Sequence, residues 1–107
     1  MKLRDVEFAF NALDADDMQR FEETAKALSE VKLPEGLSMV ESIRRQCAEL
    51  DRFFDGVLGE GAAGKLFAKA GDLGDRVECA AELSRAVLEE QKTATKALNK
   101  VARNRAK

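Results

Sequence analysis

The sequence predicts a small, mainly α-helical protein that folds as a single domain over residues 1–107. Charged residues make up 36% and hydrophobic residues 45% of the chain, with one proline, which is typical of helical proteins. Apolar residues also recur three and four positions apart over most of the chain, the period of an amphipathic helix. We expect a short N-terminal strand, three or so helices, a long C-terminal helix, and assembly into an oligomer.

Residues 6–10 are predicted to form the strand. Val6, Phe8 and Phe10 alternate with less apolar residues, a period of two that places them on one face. The sequence offers no second convincing strand, and one strand cannot satisfy its own backbone donors and acceptors. We therefore expect a partner strand from another copy or another protein, added at an exposed edge.

The first helix is predicted to start at Asp14 and to end by Lys32. Asp14 is a good N-cap, and Asp16 and Asp17 lie in the first turn, where carboxylates face the positive end of the helix dipole. The sequence around these aspartates lacks the glycine and the distal glutamate of a calcium-binding loop. We therefore interpret them as capping residues and not as metal ligands. The apolar face consists of Met18, Phe21, Ala25 and Leu28.

The second helix is predicted to begin at Ser38, after a turn at residues 33–36, and to end near Gly56 or Gly59. Ser38 and Glu41 have the spacing of a capping box. Apolar residues then follow three and four positions apart, which indicates one buried face. These residues are Met39, Ile43, Cys47, Leu50 and Phe54.

The longest predicted helix covers about residues 73–103, after a short helical piece at residues 65–70. Asp72 or Asp75 caps it, and positions alternately four and three apart form a heptad stripe weakened by small and polar residues. The stripe consists of Leu73, Val77, Ala80, Ser84, Val87, Gln91, Ala94, Leu98 and Val101. A helix of about 30 residues is ~45 Å long, more than the other helices can cover. We expect its C-terminal half to project or to pack on another subunit.

Residues 59–65, GEGAAGK, match a phosphate-binding P-loop except at its last position. A working P-loop follows a buried strand, and its lysine precedes a serine or threonine that binds Mg²⁺. Here an amphipathic helix precedes the glycines and Leu66 follows Lys65, so we reject nucleotide binding and expect no cofactor. The chain has no histidine, and its serines and cysteines lack an evident activating partner, so we predict no enzymatic activity.

Cys47 and Cys79 are the only cysteines, and no histidine is present to complete a zinc site. Both lie in predicted helices, so we interpret them as reduced and buried, with a disulfide or a redox role as the alternative. No apolar run approaches the roughly 18 residues that a membrane span needs. Residues 1–8, MKLRDVEF, place acids directly after the basic residues, unlike a signal peptide. We expect a cytoplasmic protein.

Charge is distributed unevenly along the chain. Residues 1–37 carry five basic and nine acidic side chains, a balance of −4, whereas residues 76–107 carry eight basic and four acidic ones, a balance of +4. The basic residues beyond Gln91 are Lys92, Lys96, Lys100, Arg103, Arg105 and Lys107. The first three, which we call the basic stripe, lie on one side of the last helix.

Three interpretations of the basic stripe are open. It complements the dipole at the C-terminal end of a helix, binds an acidic protein surface such as the N-terminal half of another copy, or binds nucleic-acid phosphates. No aromatic residue lies among these cations to stack on bases, which favours the first two.

Two stretches of the sequence resemble a group of known proteins. VEFAFNALDADDMQRFEETA, residues 6–25, is similar to the opening of small proteins encoded in the tail-gene clusters of siphophages and prophages of Gram-positive bacteria. FFDGVLGEGAAGKLF, residues 53–67, resembles their signature F-F-D-x-x-F-G-E-G-[T/S]-x-x-K-[I/L]-F. Leu58 replaces the usual aromatic residue, and Ala62 replaces the hydroxyl residue. The matching residues are Phe53, Phe54, Asp55, Gly59, Glu60, Gly61 and Phe67.

The resemblance implies a different role for the glycines. Gly59 or Gly61 would adopt a backbone conformation that is costly to residues with a Cβ and would reverse the chain after the second helix. The hydrophobic residues packed across this turn would be Phe53, Phe54, Leu66 and Phe67.

The resemblance also implies a setting like that of tail assembly chaperones, which bind the tape-measure protein and tail-tube subunits. We expect a non-enzymatic phage or prophage tail assembly protein in the cytoplasm of the bacterial host, binding itself and tail proteins through helical and strand-edge contacts. A permanent tail component and a nucleic-acid-binding regulator are the alternatives. Besides the basic stripe, the expected partner-binding residues are Val6, Phe8, Phe10, Val77, Val87, Leu98 and Val101.

Overall fold

The computed structural model describes residues 1–105, which contain one two-stranded hairpin and four helices. The elements, in chain order, are β1 (Lys2–Leu3), β2 (Val6–Glu7), α1 (Ala15–Ser29), α2 (Met39–Leu58), α3 (Ala62–Leu66) and α4 (Leu73–Arg105). The predicted class is confirmed: the fold is mainly helical, with a short N-terminal strand and a long C-terminal helix. None of the helices in residues 1–105 combines the length and apolar character needed to cross a bilayer.

The N-terminal strand finds its partner within the chain, so the prediction of an unpaired strand was wrong. β1 and β2 pair in antiparallel fashion across a two-residue loop. The loop residues Arg4 and Asp5 both have positive φ, 51° and 64°, as in a type I′ hairpin turn. Each strand is two residues long and no glycine marks the turn, so no period-two pattern could reveal β1.

Helices α1 and α2 begin at the predicted capping residues. The Asp14 carboxylate accepts a hydrogen bond from the backbone N–H of Asp17 at 2.9 Å, and the Ser38 hydroxyl accepts one from the N–H of Glu41 at 3.1 Å. Each cap satisfies an amide that has no partner inside its helix. α2 continues to Leu58, past the earlier of its two predicted ends.

Helix α2 lies at the centre of the fold and runs antiparallel to α1. Gly56 allows the close approach, because a Cβ at this position would lie 3.1 Å from the Thr24 methyl carbon. One turn away, the Arg20 guanidinium donates to the carbonyl of Val57 at 3.2 Å. The residues that α2 buries are Cys47, Phe53, Phe54, Val57 and Leu58.

A chain of aromatic contacts runs through the core. Successive ring centroids are 6.2, 6.2, 5.3 and 5.2 Å apart, and most pairs meet edge to face. The rings, in contact order, are Phe10, Phe21, Phe53, Phe54 and Phe67. They connect the N-terminal segment, α1, α2 and the segment after α3 into one core, with Phe54 fully buried.

The short helix after the glycines begins three residues earlier than predicted. α3 starts directly after Gly61, which has a left-handed conformation, and it buries Ala62, Ala63 and Leu66. It ends where Phe67 becomes extended, with φ −121°. The prediction relied on Leu66 and Phe67 as the apolar residues of this helix. The buried Ala62 and Ala63 extend its apolar side toward the start.

Helix α4 is the longest element, as predicted, and it projects from the rest of the fold. The Asp72 carboxylate accepts from the N–H of Asp75 at 3.0 Å, which identifies Asp72 as the residue that caps the first turn. The molecule measures 65 × 28 × 20 Å, and every residue from 95 to 105 is exposed. We call residues 1–94 the body and residues 95–105 the arm.

Candidate interaction surfaces

Residues 59–63 reverse the chain between α2 and α3. Gly59 and Gly61 have φ values of 116° and 85°, which confirms the conformational role predicted for these glycines. The Asp55 carboxylate accepts from the N–H of Ala63 at 2.9 Å. A P-loop would offer a backbone amide at the start of its helix to a phosphate. Here the corresponding amide of Ala63 donates instead to the side chain of Asp55. The turn also follows a helix rather than a strand.

The aromatic residues of the signature lie in the core, as predicted. Phe53, Phe54 and Phe67 are buried together with Leu66, whereas Glu60 is exposed at the tip of the turn. The signature residues thus describe a packed chain reversal, in which Asp55 supplies the polar contact.

Arg76 fixes the segment between α3 and α4. Its side chain is almost fully buried, and its guanidinium donates to both carboxylate oxygens of Asp51 at 2.7 and 3.3 Å. It also donates to the carbonyls of Lys69 and Asp72, and it lies 4.5 Å from the ring centroid of Phe67. Burial lowers the pKa of Arg76, but the hydrogen bonds to Asp51 and the nearby negative charges of Asp51 and Asp75 together raise it above its ordinary value. Sequence patterns missed this residue because an arginine in a helix is usually solvent-exposed.

A second arginine attaches the hairpin to α4. Arg4 donates to a carboxylate oxygen of Glu82 and to one of Asp75, both at 2.7 Å. The hydrogen bond to Glu82, followed by the one to Asp75, raises the pKa of Arg4 above its ordinary value. The hairpin turn is thereby held against the first half of α4.

The side chains of the predicted strand lie in the core or against it. Phe8 and Phe10 are buried in the core, and Val6 is partly buried against it. The alternating pattern correctly placed these residues on one face, but that face packs against the body of the same chain. Their assignment as partner-binding residues is therefore corrected to core residues.

The heptad stripe of α4 coincides only in part with the face that packs in the body. Val87 is 4% exposed, whereas Val77 is 55% exposed. The buried residues near the start of α4 lie beside the stripe: Arg76, Cys79 and Leu83. A strict seven-residue repeat drifts across the surface of a straight helix with 3.6 residues per turn, so the stripe and the packed face separate toward that end.

The packed face of α4 continues into the arm, where nothing in residues 1–105 covers it. Ala94, seven residues after the buried Val87, is half-buried, and Leu98 and Val101 on this side are 68% and 55% exposed. We call the side chains concerned the arm face: Ala97, Leu98 and Val101 of the arm, together with Ala94 at the end of the body. An apolar face that leaves the core and enters solvent is typical of an interaction surface.

A second exposed apolar surface lies at the opposite end of α4. Ile43, Leu73 and Val77 line one shallow depression, and Met39 and Val40 lie one turn before Ile43 on α2. We call these five residues the end patch. Met39 is 84% exposed, although its helical spacing predicted a buried position. The first turns of α2 lie outside the contact with α1, which periodicity cannot reveal.

The basic stripe lies on the side of the arm opposite the arm face. Lys96 and Leu98 are two residues apart, which corresponds to about 200° around a helix. Lys92, Lys96 and Lys100 are all exposed, and the last two line a shallow concavity with Arg103. Lys107 lies outside the described residues. The arm is therefore amphipathic, with one apolar side and one cationic side.

Both cysteines are free and buried, as predicted. Burial raises the pKa of Cys79 to about 11, despite the opposing charge of Arg4. Its thiolate, the reactive form, is thus disfavoured at neutral pH. Among residues 1–105, no group of three or more acidic or cysteine side chains is placed to hold a metal ion.

Comparison with known proteins gives one match. Residues 4–107 match a protein family that is described as "Family of unknown function (DUF6673)". No curated protein and no solved structure matches the chain. The function of the protein is therefore inferred from the surfaces described above.

Proposed function

We propose that this chain, which belongs to the Family of unknown function (DUF6673), acts without enzymatic activity by binding other proteins. In this proposal it is a phage or prophage tail assembly protein that works like a chaperone, covering apolar surfaces of a helical tail protein until assembly proceeds. The phage setting comes from the resemblance of residues 6–25 and 53–67. The observation that best supports the binding role is the pair of exposed apolar surfaces at the two ends of α4.

The end patch suits a helical partner such as a tape-measure protein. Ile43 on α2 lines a depression together with Leu73 and Val77 at the start of α4, and the exposed Met39 and Val40 lie one turn before Ile43. An amphipathic helix binds by placing its apolar side in such a depression. The flexible side chain of Met39 adapts to partners of different shape, as a chaperone requires.

The body is suited to presenting this surface. Within residues 1–105, every buried side-chain nitrogen and oxygen atom has a hydrogen-bond partner. Next to the end patch, the hydrogen bonds from Arg76 to Asp51 hold the start of α4 against α2. A partner would therefore meet a preformed surface and would not have to order it, which reduces the entropic cost of binding.

The test is co-expression with the products of the neighbouring genes, followed by affinity capture. We expect the wild-type chain to capture a helical tail protein and the double variant Ile43→Asp/Val77→Asp to lose it. Leu88→Asp is the matched control, because Leu88 is 57% exposed on the same helix and lies outside the end patch and the arm face. Absence of capture, or equal capture by the double variant, would contradict the proposal.

Two further measurements separate the two alternatives. The protein would be a permanent component if purified phage particles contained it at a fixed copy number. Nucleic-acid binding through Lys96, Lys100 and Arg103 would appear as steeply salt-dependent affinity for DNA that Lys96→Glu reduces. We expect neither result.

A further inference from the structure

The base of the arm carries a groove that its own chain leaves open. The groove is lined by Leu13, Glu89, Glu90, Thr93, Ala94 and Ala97. Leu13, in the loop before α1, is 58% exposed beside it. The lining therefore combines small side chains, the apolar side chain of Leu13 and the carboxylates of Glu89 and Glu90. Such a groove accepts the larger apolar side chains of a helix.

We propose that this groove is occupied by the arm of a second copy, so that two arms pair in antiparallel orientation. With Ala97 opposite Leu98 of the partner subunit, Ala94 lies opposite Val101 of the partner subunit. Each arm then places its large residues against the small residues of the other. This alternation of large and small side chains is what close packing of two helices needs.

Charge selects the antiparallel orientation. In the same register, Glu90 lies opposite Arg105 of the partner subunit, and the cationic end of each arm approaches Asp14 and Asp16 beside Leu13. In a parallel pair, Arg105 would lie beside its own copy, and like charges would repel. The acidic N-terminal half and the basic C-terminal half of the sequence thus meet between two copies.

The pairing explains two further features of the arm. The arm face continues the packed face of the body, so the second copy would extend one apolar contact surface without a break. The basic stripe points away from the contact and stays in solvent, so its charges are not desolvated when the two copies pair. The overlap covers only about four helical turns, at the small end of stable interfaces. We therefore expect a dimer that dissociates on dilution.

Sedimentation equilibrium of the full chain over a range of concentrations tests the proposal. We expect the mass to rise with concentration from 11.8 kDa toward twice that value. Leu98→Asp/Val101→Asp should remain monomeric, and Leu88→Asp should behave as the wild type does, because Leu88 lies off the arm face. Far-UV circular dichroism checks that each variant keeps its helices.

A charge exchange tests the orientation separately. Glu90→Arg and Arg105→Glu should each weaken the dimer by about tenfold or more, and the two changes together in one chain should restore it. A wild-type mass that stays at 11.8 kDa at all concentrations would overturn the pairing. A dimer that the double charge exchange does not restore would overturn the antiparallel register. The capture experiment with the end patch is independent, so either proposal can fail alone.

Discussion

The two ends of helix α4 present the same helical pattern in two different surroundings. Near its start, Cys79 and Leu83 are fully buried in the core. In the arm, Leu98 and Val101 continue the same face and are more than half exposed. The periodicity is the same in both regions, and only the surrounding chain differs. Apolar spacing therefore identifies one face of the helix, and the tertiary structure determines whether other parts of the chain cover that face.

The largest expected difference between body and arm concerns stability. Phe54→Ala removes a fully buried ring from the middle of the aromatic chain, so we expect it to lower the free energy of unfolding by about 3 to 5 kcal/mol. Leu98→Ala in the arm should change it by less than about 0.5 kcal/mol in dilute, monomeric protein. Urea unfolding followed by circular dichroism measures both values. Comparable losses in the two variants would mean that the arm belongs to the core.

Substitutions in the glycine turn should lower stability by a smaller amount, through the conformation of the backbone. Gly59→Ala and Gly61→Ala should each lower the free energy of unfolding by about 1 to 2 kcal/mol, because both positions have positive φ. No atom lies within 4 Å of a Cβ at either site, so the loss would be conformational and not steric. Chemical denaturation of single variants measures it.

Gly64→Ala is the matched control for the turn. Gly64 lies inside α3, has no positive φ, and has open space where the alanine methyl group would lie. Alanine should therefore stabilise the protein by roughly 0.4 to 1 kcal/mol. If all three glycine variants changed the free energy of unfolding in the same direction, the conformational explanation of the turn would be refuted.

Local sequence signals predicted those parts of the fold that depend on neighbouring residues. Asp14 and Ser38 act as N-caps because a cap needs only the next few amides, and Gly59 and Gly61 take the positive φ that the turn requires. The hairpin escaped prediction because its two strands are too short to show a period. Its stability depends on contacts of Arg4 with Asp75 and Glu82, which are 71 and 78 residues away along the chain.

The surfaces were predicted less well than the fold, for a physical reason. Met39 and Phe54 lie on the same apolar face of α2, yet only Phe54 lies where other elements can cover it. Arg76 shows the converse, since a charged residue is buried because Asp51 and two backbone carbonyls receive its hydrogen bonds. Periodicity encodes the direction of a side chain, but its burial depends on how far the neighbouring elements extend.

Hydrogen–deuterium exchange as a function of protein concentration tests most directly whether the arm face binds another chain. We expect the amides of residues 95–105 to exchange rapidly in dilute protein and to become protected as the concentration rises, while residues 79–87 stay protected throughout. Leu98→Asp/Val101→Asp should abolish the concentration dependence, and Leu88→Asp should retain it. Rapid exchange of the arm at every concentration in the wild-type protein would contradict the account.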